Sequence, residues 1–127
     1  MTIKEASQIT GVTADTLRYY ERIGLIPPVP RNESGIRNYD ETIIGWINFI
    51  KCMRNAGLPI ETLIEYVALY KEGSKTDDAR KQLLIEQKNI LEERIAFLQD
   101  TLTKLNFKID NYDKFMRHEM SEINWGR

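Results

Sequence analysis

The sequence predicts a mainly α-helical protein that begins with a winged helix-turn-helix and continues into one long helix. Three observations predict this fold class. Two short segments with helical spacing flank Gly11-Val12. A stretch rich in proline and glycine follows at residues 25–35. From about residue 76 to 115 the chain contains neither proline nor glycine, and its apolar residues recur in steps of three and four.

Size and composition are those of an ordinary folded protein. The chain has 127 residues, a formal net charge of −1 and one cysteine. A single cysteine excludes an internal disulfide and a metal site built from several cysteines, so we expect no metal and no cofactor. No run reaches the roughly 18 apolar residues of a membrane span, and the first residues do not resemble a signal segment. We therefore expect a cytoplasmic protein that does not bind membranes.

Residues 13–24 predict a short helix with signals at both ends. Thr13 is a favourable N-cap residue, because its hydroxyl can accept from a free backbone N–H. Asp15 adds negative charge where the helix dipole favours it. Gly24 can adopt the left-handed conformation that ends a helix. At helical spacing the inward face would hold Leu17, Tyr20 and Ile23, and the outer face would hold Arg18, Tyr19 and Arg22.

The preceding segment predicts a second short helix. Ile3, Ala6 and Ile9 recur every three residues, and Gly11-Val12 would connect the two helices. Two helices joined by a turn that contains glycine form a helix-turn-helix, whose second helix can enter a major groove. An ordinary helical hairpin with a solvated charged face fits this spacing equally well.

Residues 25–39 predict a small β-wing. Three prolines within residues 27–30 exclude a helix, and residues 32–35 have turn chemistry. The chain would then return as a short strand, with Arg31 and Arg37 on the two arms, where both could contact a DNA backbone. The alternative is a proline-stiffened surface loop with incidental arginines.

Two more helices are predicted between the wing and the long helix. Asp40 can cap the first of them, which should end near Ala56-Gly57. The second should begin after Leu58-Pro59 and end near Gly73. Apolar residues at three- and four-residue steps predict a buried face on the first helix, at Ile43, Trp46, Ile47, Ile50 and Met53.

The long helix predicts a coiled coil. Its apolar seam alternates steps of four and three, which is the pattern of helices that pair along their length. A helix of this length cannot bury its seam inside so small a domain, so we expect a homodimer. The seam by itself does not distinguish parallel from antiparallel pairing. Its positions are Leu84, Lys88, Leu91, Ile95, Leu98, Leu102, Leu105, Ile109, Tyr112 and Met116.

The run LRYYERIGLI at residues 17–26, followed by RNY at residues 37–39, is a specific motif. With Thr13, Arg31, Gly35 and the Gly57-Leu58 joint, it resembles the MerR family of transcription regulators over residues 1–70. The resemblance implies a winged helix-turn-helix and an antiparallel coiled-coil homodimer on a pseudo-palindromic promoter site. It also implies that the dimer distorts the DNA so that RNA polymerase can engage the promoter.

Three segments follow from this interpretation: a DNA-binding domain at 1–73, a dimerisation helix at 76–118 and a short tail at 119–127. Because the net charge is near zero, any DNA contact must come from local placement of basic groups. Arginine can bind phosphate or a guanine edge, and a tyrosine hydroxyl can donate to phosphate. We expect DNA contacts from Thr13, Thr16, Arg18, Tyr19, Arg22, Arg31, Arg37 and Tyr39.

Cys52 allows two interpretations. It could be a small core residue, since free cysteines are often buried and inert. It could also sense thiol-reactive electrophiles, because it lies beside the apolar stripe and between Lys51 and Arg54, whose charges could favour a thiolate. The chain lacks the cysteines of the family's metal sensors and the large extra domain of its drug sensors. It is similar to the short, single-cysteine AdhR/NmlR-like subgroup, which implies a response to aldehydes or other electrophiles.

Other functions receive less support. A scaffold whose coiled coil recruits a partner would not need the arginines of the outer face and wing. The single histidine, His118, lies in the tail without a nucleophile, and no glycine-rich phosphate loop is present, so no enzyme is expected. A regulator with a non-covalent effector, in which Cys52 is purely structural, stays open.

Overall fold

The computed structural model describes residues 1–112 and Lys114, and its helices follow the predicted order. The expected tail at 119–127, and Asp113 with residues 115–118 of the expected dimerisation segment, lie outside the described residues. The helices are α1 (Ile3–Thr10), α2 (Ala14–Ile23), α3 (Glu41–Asn55), α4 (Ile60–Lys71) and α5 (Asp77–Asp110), with a short 3-10 helix at Ser74–Thr76 before α5.

One apolar core organises the first compact unit, Met1–Ile85. The inward side of α2 packs into it as predicted, with Leu17 fully buried and Tyr20 and Ile23 against the core. The predicted stripe of α3 is also confirmed, although Trp46 and Met53 are only partly buried. Further buried apolar residues lie in α1, α3, α4 and the connecting segments: Ala6, Val12, Leu25, Ile26, Val29, Ile43, Ile47, Ile50, Leu58, Leu63 and Val67.

Helix α1 begins with a reciprocal cap. The Thr2 hydroxyl accepts from the Glu5 N–H at 3.1 Å, and the Glu5 carboxylate accepts from the Thr2 N–H at 2.9 Å. These hydrogen bonds lower the pKa of Glu5. Of the three apolar residues that recur every three residues, Ile9 is 60% exposed, and Thr10 is buried instead. Partial burial of Ile3 with full burial of Ala6 and Thr10 fits the 3.6-residue helical period better than strict three-residue steps.

The predicted wing forms at residues 30–38 with less pairing than a pair of strands. Its arms meet in one isolated antiparallel bridge between Arg31 and Arg37. The Asn32 side chain accepts from the N–H groups of Ser34 and Ile36 at 2.9 and 3.0 Å, which closes the turn. Gly35 occupies the left-handed region at φ +79°. Proline at residue 30 has no N–H to extend the pairing.

Tyr39 requires a correction. We expected its side chain to contact DNA beside the wing, but it is completely buried in the core. Its backbone N–H donates to the Met1 carbonyl at 2.8 Å, which holds the end of the wing against the start of the chain. The Tyr39 hydroxyl has no hydrogen-bond partner among the described residues. Tyr39 is therefore a core residue that carries an uncompensated polar group.

The start of α5 belongs to the first unit. Thr76 is buried, and its hydroxyl shares its one proton between the carbonyls of Leu69 at 2.7 Å and Gly73 at 2.8 Å. Arg80 donates from Nε to the Thr76 hydroxyl at 3.1 Å and lies over the Tyr70 ring, with Cζ 5.6 Å from the ring centre. These contacts join the first turn of α5 to the end of α4.

The second unit begins at Glu86, and its described part is the rest of α5. Ion pairs one turn apart, Lys88–Glu92 at 3.4 Å and Asp100–Lys104 at 3.1 Å, lie along it. The expected seam is largely in water, with Ile95 and Leu98 each 57% exposed. Among the described helices, none combines the length and apolarity needed to cross a membrane.

Replacing Tyr39 with Phe should stabilise the protein by about 1 kcal/mol, because it removes a buried hydroxyl that lacks a partner. Urea unfolding followed by circular dichroism measures the change. The matched control is Tyr19→Phe, which removes the hydroxyl of a residue that is 40% exposed and should leave stability unchanged.

The difference in stability between Tyr39→Phe and the wild type should be larger at alkaline pH. Burial raises the pKa of Tyr39 above its ordinary value, so folding favours the neutral phenol. The stabilisation is present below the pKa of the unfolded chain, about 10, and is lost as pH rises through the higher folded value. Tyr39→Phe should therefore resist alkaline unfolding better than the wild type. A variant that unfolds at a lower pH would contradict this assignment.

Candidate nucleic-acid interface

Helix α2 is held in place by caps at both ends. The Thr13 hydroxyl accepts from the Thr16 N–H at 3.2 Å and donates to the Thr16 hydroxyl at 2.8 Å. Gly24 ends the helix at φ +82°, as its position in the sequence predicts. Thr13 is exposed and Thr16 is half-buried, both at the N-terminal end of the helix. This end carries the positive pole of the helix dipole, which favours an approaching phosphate.

The outer face of α2 carries two cations and an aromatic ring. Arg18 pairs with Asp15 one turn earlier, with nitrogen and oxygen 2.9 Å apart and both side chains largely exposed. Arg22 lies over the Tyr19 ring, with Cζ 5.5 Å from its centre. All three expected residues Arg18, Tyr19 and Arg22 are thus on the solvent side, opposite the buried Leu17.

The wing presents two more arginines. Arg31 donates from a terminal nitrogen to the Gly35 carbonyl at 2.7 Å, so its side chain folds along the turn of the wing. Arg37 donates from Nε to Glu21 of α2 at 2.6 Å, and this hydrogen bond raises the pKa of Arg37. The second oxygen of Glu21 accepts from the Val29 N–H at 2.8 Å. Sequence reasoning missed Glu21, because its partners lie eight and 16 residues away.

These elements enclose a shared cavity. Its volume is about 320 Å³, and it brings Arg18 of α2 together with Arg31 and Arg37 of the wing. Thr2 and Ile3, at the start of α1, complete its lining with Gly35 and Ile36 of the wing. Thr13, Thr16, Tyr19 and Arg22 are not among its lining residues and lie elsewhere along α2. Three arginines that line one cavity suit an anion such as a phosphate.

Cys52 is exposed on α3, so its interpretation as a core residue is wrong for this chain. The two neighbouring cations donate hydrogen bonds to backbone carbonyls. Lys51 donates from Nζ to the Thr10 carbonyl at 2.7 Å, and Arg54 donates to the Leu58 carbonyl at 2.7 Å. The argument that these two charges favour a thiolate is therefore weaker than the sequence suggested, while access to the thiol is better.

An aromatic groove lies along the same helix. The Trp46 ring packs against the Phe49 and Tyr66 rings, with centroids 6.2 and 5.8 Å away. A cavity of about 260 Å³ is lined by Thr42, Gly45 and these three aromatic residues. Gly45, Phe49 and Cys52 are four and three residues apart, which places the thiol on the groove's side of α3.

A recognition helix and a cationic wing on one core define a winged helix-turn-helix DNA-binding protein. Comparison with known proteins agrees. Residues 1–70 match the model described as MerR HTH family regulatory protein, and residues 44–106 match the model described as MerR, DNA binding. The chain therefore belongs to the MerR family and is a DNA-binding transcriptional regulator.

Proteins that are similar to this chain in sequence are also named as HTH-type transcriptional regulators. The HTH-type transcriptional regulator AdhR of Bacillus subtilis (strain 168) is 59% identical over 93 residues, which are 73% of this chain and 66% of AdhR. The HTH-type transcriptional regulator HmrR of Sinorhizobium medicae (strain WSM419) is 37% identical over 100 residues, covering 79% of this chain and 68% of HmrR. The match thus spans about two thirds of each relative.

Solved structures share the fold over nearly all of the chain. A MerR family transcriptional regulator from Listeria monocytogenes is 54% identical, with a TM-score of 0.86 over 91% of this chain and 88% of its own. HiNmlR, a MerR family regulator lacking the sensor domain and bound to promoter DNA, is 28% identical, with a TM-score of 0.78 over 91% and 92%.

Proposed function

We propose that this regulator binds promoter DNA through α2 and the wing and switches transcription when electrophiles react with Cys52. The observation that carries the DNA-binding part is the cavity that brings Arg18, Arg31 and Arg37 together. Phosphate contacts of this kind orient a protein on the duplex, while side chains of the recognition helix read base edges. The DNA-contacting residues are Thr13, Thr16, Arg18, Tyr19, Arg22, Arg31 and Arg37.

The second part of the proposal is an antiparallel homodimer formed through α5. A single chain leaves Leu98, Leu102 and Leu105 about half exposed, although they share one seam. Exposed apolar side chains in a continuous stripe favour a partner of the same pattern, and a second copy supplies it. Two DNA-binding units related by two-fold symmetry match a pseudo-palindromic site. The seam consists of Leu84, Leu91, Ile95, Leu98, Leu102, Leu105, Ile109 and Tyr112.

The third part is the switch. An aldehyde, quinone or oxidant would modify the exposed Cys52 thiol, which adds volume and polarity on α3. A difference of about 1–3 kcal/mol between two dimer states is enough to change promoter output. The distorted promoter would then engage RNA polymerase, so polymerase is an indirect partner. Such a protein works in the cytoplasm, where the promoter is.

A second candidate is a regulator with a non-covalent effector. The groove at Trp46, Phe49 and Tyr66 favours it, because aromatic side chains around a cavity of about 260 Å³ suit a small apolar molecule. In that case Cys52 would have no chemical role. The response of a cysteine variant separates the two candidates.

Replacing Arg18 with Ala should weaken operator binding about tenfold and reduce the slope of log affinity against log salt by about 1, since a phosphate contact is lost. Fluorescence anisotropy at several salt concentrations measures both. Lys75→Ala is the matched control, because it removes one positive charge from the short 3-10 helix. Equal affinities for the two variants would count against the proposed docking.

Replacing Leu98 with Glu should weaken self-association at least a hundredfold, because burying an unpaired carboxylate in the seam costs about 3 kcal/mol. Sedimentation equilibrium measures the dimer dissociation constant. Ala96→Glu introduces the same group two residues away, off the seam, and should leave the dimer intact. A wild-type protein that sediments as a monomer at high concentration would refute the dimer.

Replacing Cys52 with Ala or Ser should abolish the response to formaldehyde or a quinone and leave operator binding unchanged, since the residue is exposed and outside the core. A promoter–reporter strain measures the response, and intact-mass analysis of the treated wild type should detect the adduct. If Cys52→Ala still responds fully, the covalent switch is wrong and the non-covalent candidate takes its place.

A further inference from the structure

Glu21 joins the recognition helix to both arms of the wing. It lies on α2, and its side chain is only 17% exposed. One carboxylate oxygen accepts from the Val29 N–H at 2.8 Å, where the chain enters the wing. The other accepts from Arg37 Nε at 2.6 Å, on the return arm. Because Arg37 is paired with Arg31 across the wing, the carboxylate restrains the whole hairpin relative to α2.

At its base the wing is held by the Tyr39 N–H, which donates to the Met1 carbonyl at 2.8 Å. Among the described residues, the hydrogen bonds that join it to α2 are those of Glu21. A hairpin with one antiparallel bridge is marginal by itself. Its turn, from Asn32 to Ile36, is exposed to solvent. The Glu21 contacts are charge-assisted and short, so they are stronger than ordinary neutral hydrogen bonds. The angle between the wing and α2 therefore depends in part on this carboxylate.

We propose that Glu21 is a positioning residue, which places the wing so that its arginines and Arg18 reach the DNA backbone together. The proposal rests on the DNA contacts put forward above for α2 and the wing. It assigns to an acidic residue, which itself repels phosphate, a role that strengthens DNA binding.

The geometry at Arg37 allows it to bind Glu21 and a DNA phosphate at the same time. Glu21 takes only the Nε edge of the guanidinium, and neither terminal nitrogen of Arg37 donates to another group among the described residues. The Arg37 side chain is 39% exposed. The planar fork has five N–H donors, so Arg37 can hold Glu21 on one edge and a phosphate oxygen on the other.

For the loss of the Glu21 charge, the proposal predicts a change in DNA affinity that is opposite in sign to the change expected from charge repulsion alone. Removing a negative charge from a surface that faces DNA should strengthen binding, because phosphate repulsion falls. If Glu21 positions the wing, its loss should weaken binding instead. Glu33, exposed at the turn of the same wing, provides a matched charge without the contacts of Glu21.

The experiment compares Glu21→Gln, Glu21→Asp and Glu33→Gln in the full chain. The probe is a DNA duplex selected from a random pool by the wild-type protein. We expect Glu21→Gln to bind about tenfold more weakly, the effect of losing one charge-assisted hydrogen bond. Glu21→Asp keeps the charge but is one methylene shorter, and should be weakened similarly. Glu33→Gln should bind as well as the wild type or better.

A measurement on the free protein tests the contact between Glu21 and Arg37 separately from its effect on DNA binding. Exchange of the Arg37 Nε–H with solvent, followed by NMR, should accelerate in Glu21→Gln while amide exchange in the core stays the same. The proposal would be overturned if Arg37 Nε–H exchange in Glu21→Gln were the same as in the wild type. It would also be overturned if that exchange were faster but Glu21→Gln bound DNA as tightly as Glu33→Gln. If Arg18→Ala bound DNA as tightly as its control, the proposed docking would be refuted instead. The exchange result would then test only the contact between Glu21 and the wing.

Discussion

Burial of one side of α2 is the constraint on which the proposed DNA-binding surface depends. The helix has ten residues, too few to be stable alone in water, so tertiary packing must supply its stability. Leu17 is fully buried, and Tyr20 and Ile23 pack beside it against the core. The helical period then leaves the opposite side in solvent, where Arg18 and Arg22 lie. The apolar core thus determines which cations can meet a phosphate.

Two cations of this surface are themselves paired with acids. Arg18 pairs with Asp15, which is 97% exposed, and Arg37 pairs with Glu21, which is 17% exposed. A pair in water contributes little, so Asp15 can be displaced by a phosphate at small cost. The sheltered pair keeps its geometry. In the proposed interface, a near-neutral chain binds an anionic polymer by local arrangement of charge, and the two pairs have different roles in it.

Features set by neighbouring residues were predictable, and those set by distant ones were not. Thr13 and Gly24 mark the ends of α2 because capping depends on a few residues. The contact of Glu21 with Arg37 spans 16 residues and leaves no periodic signal. The sequence pattern placed Tyr39 on the wing but not its side chain, because one strand residue either way reverses the face. The exposure of Cys52 was indicated only by its position beside the stripe of α3.

The hydrogen bond from Lys51 to the Thr10 carbonyl joins α3 to the turn between α1 and α2. Thr10 is the last residue of α1, and Gly11 follows in the left-handed conformation at φ +73°. Cys52 is the next residue after Lys51 on α3. Under the proposed switch, Cys52 is separated by one peptide bond from Lys51, whose hydrogen bond joins α3 to the helix-turn-helix. A chemical change at the thiol would then have a short route to the elements that are proposed to contact DNA.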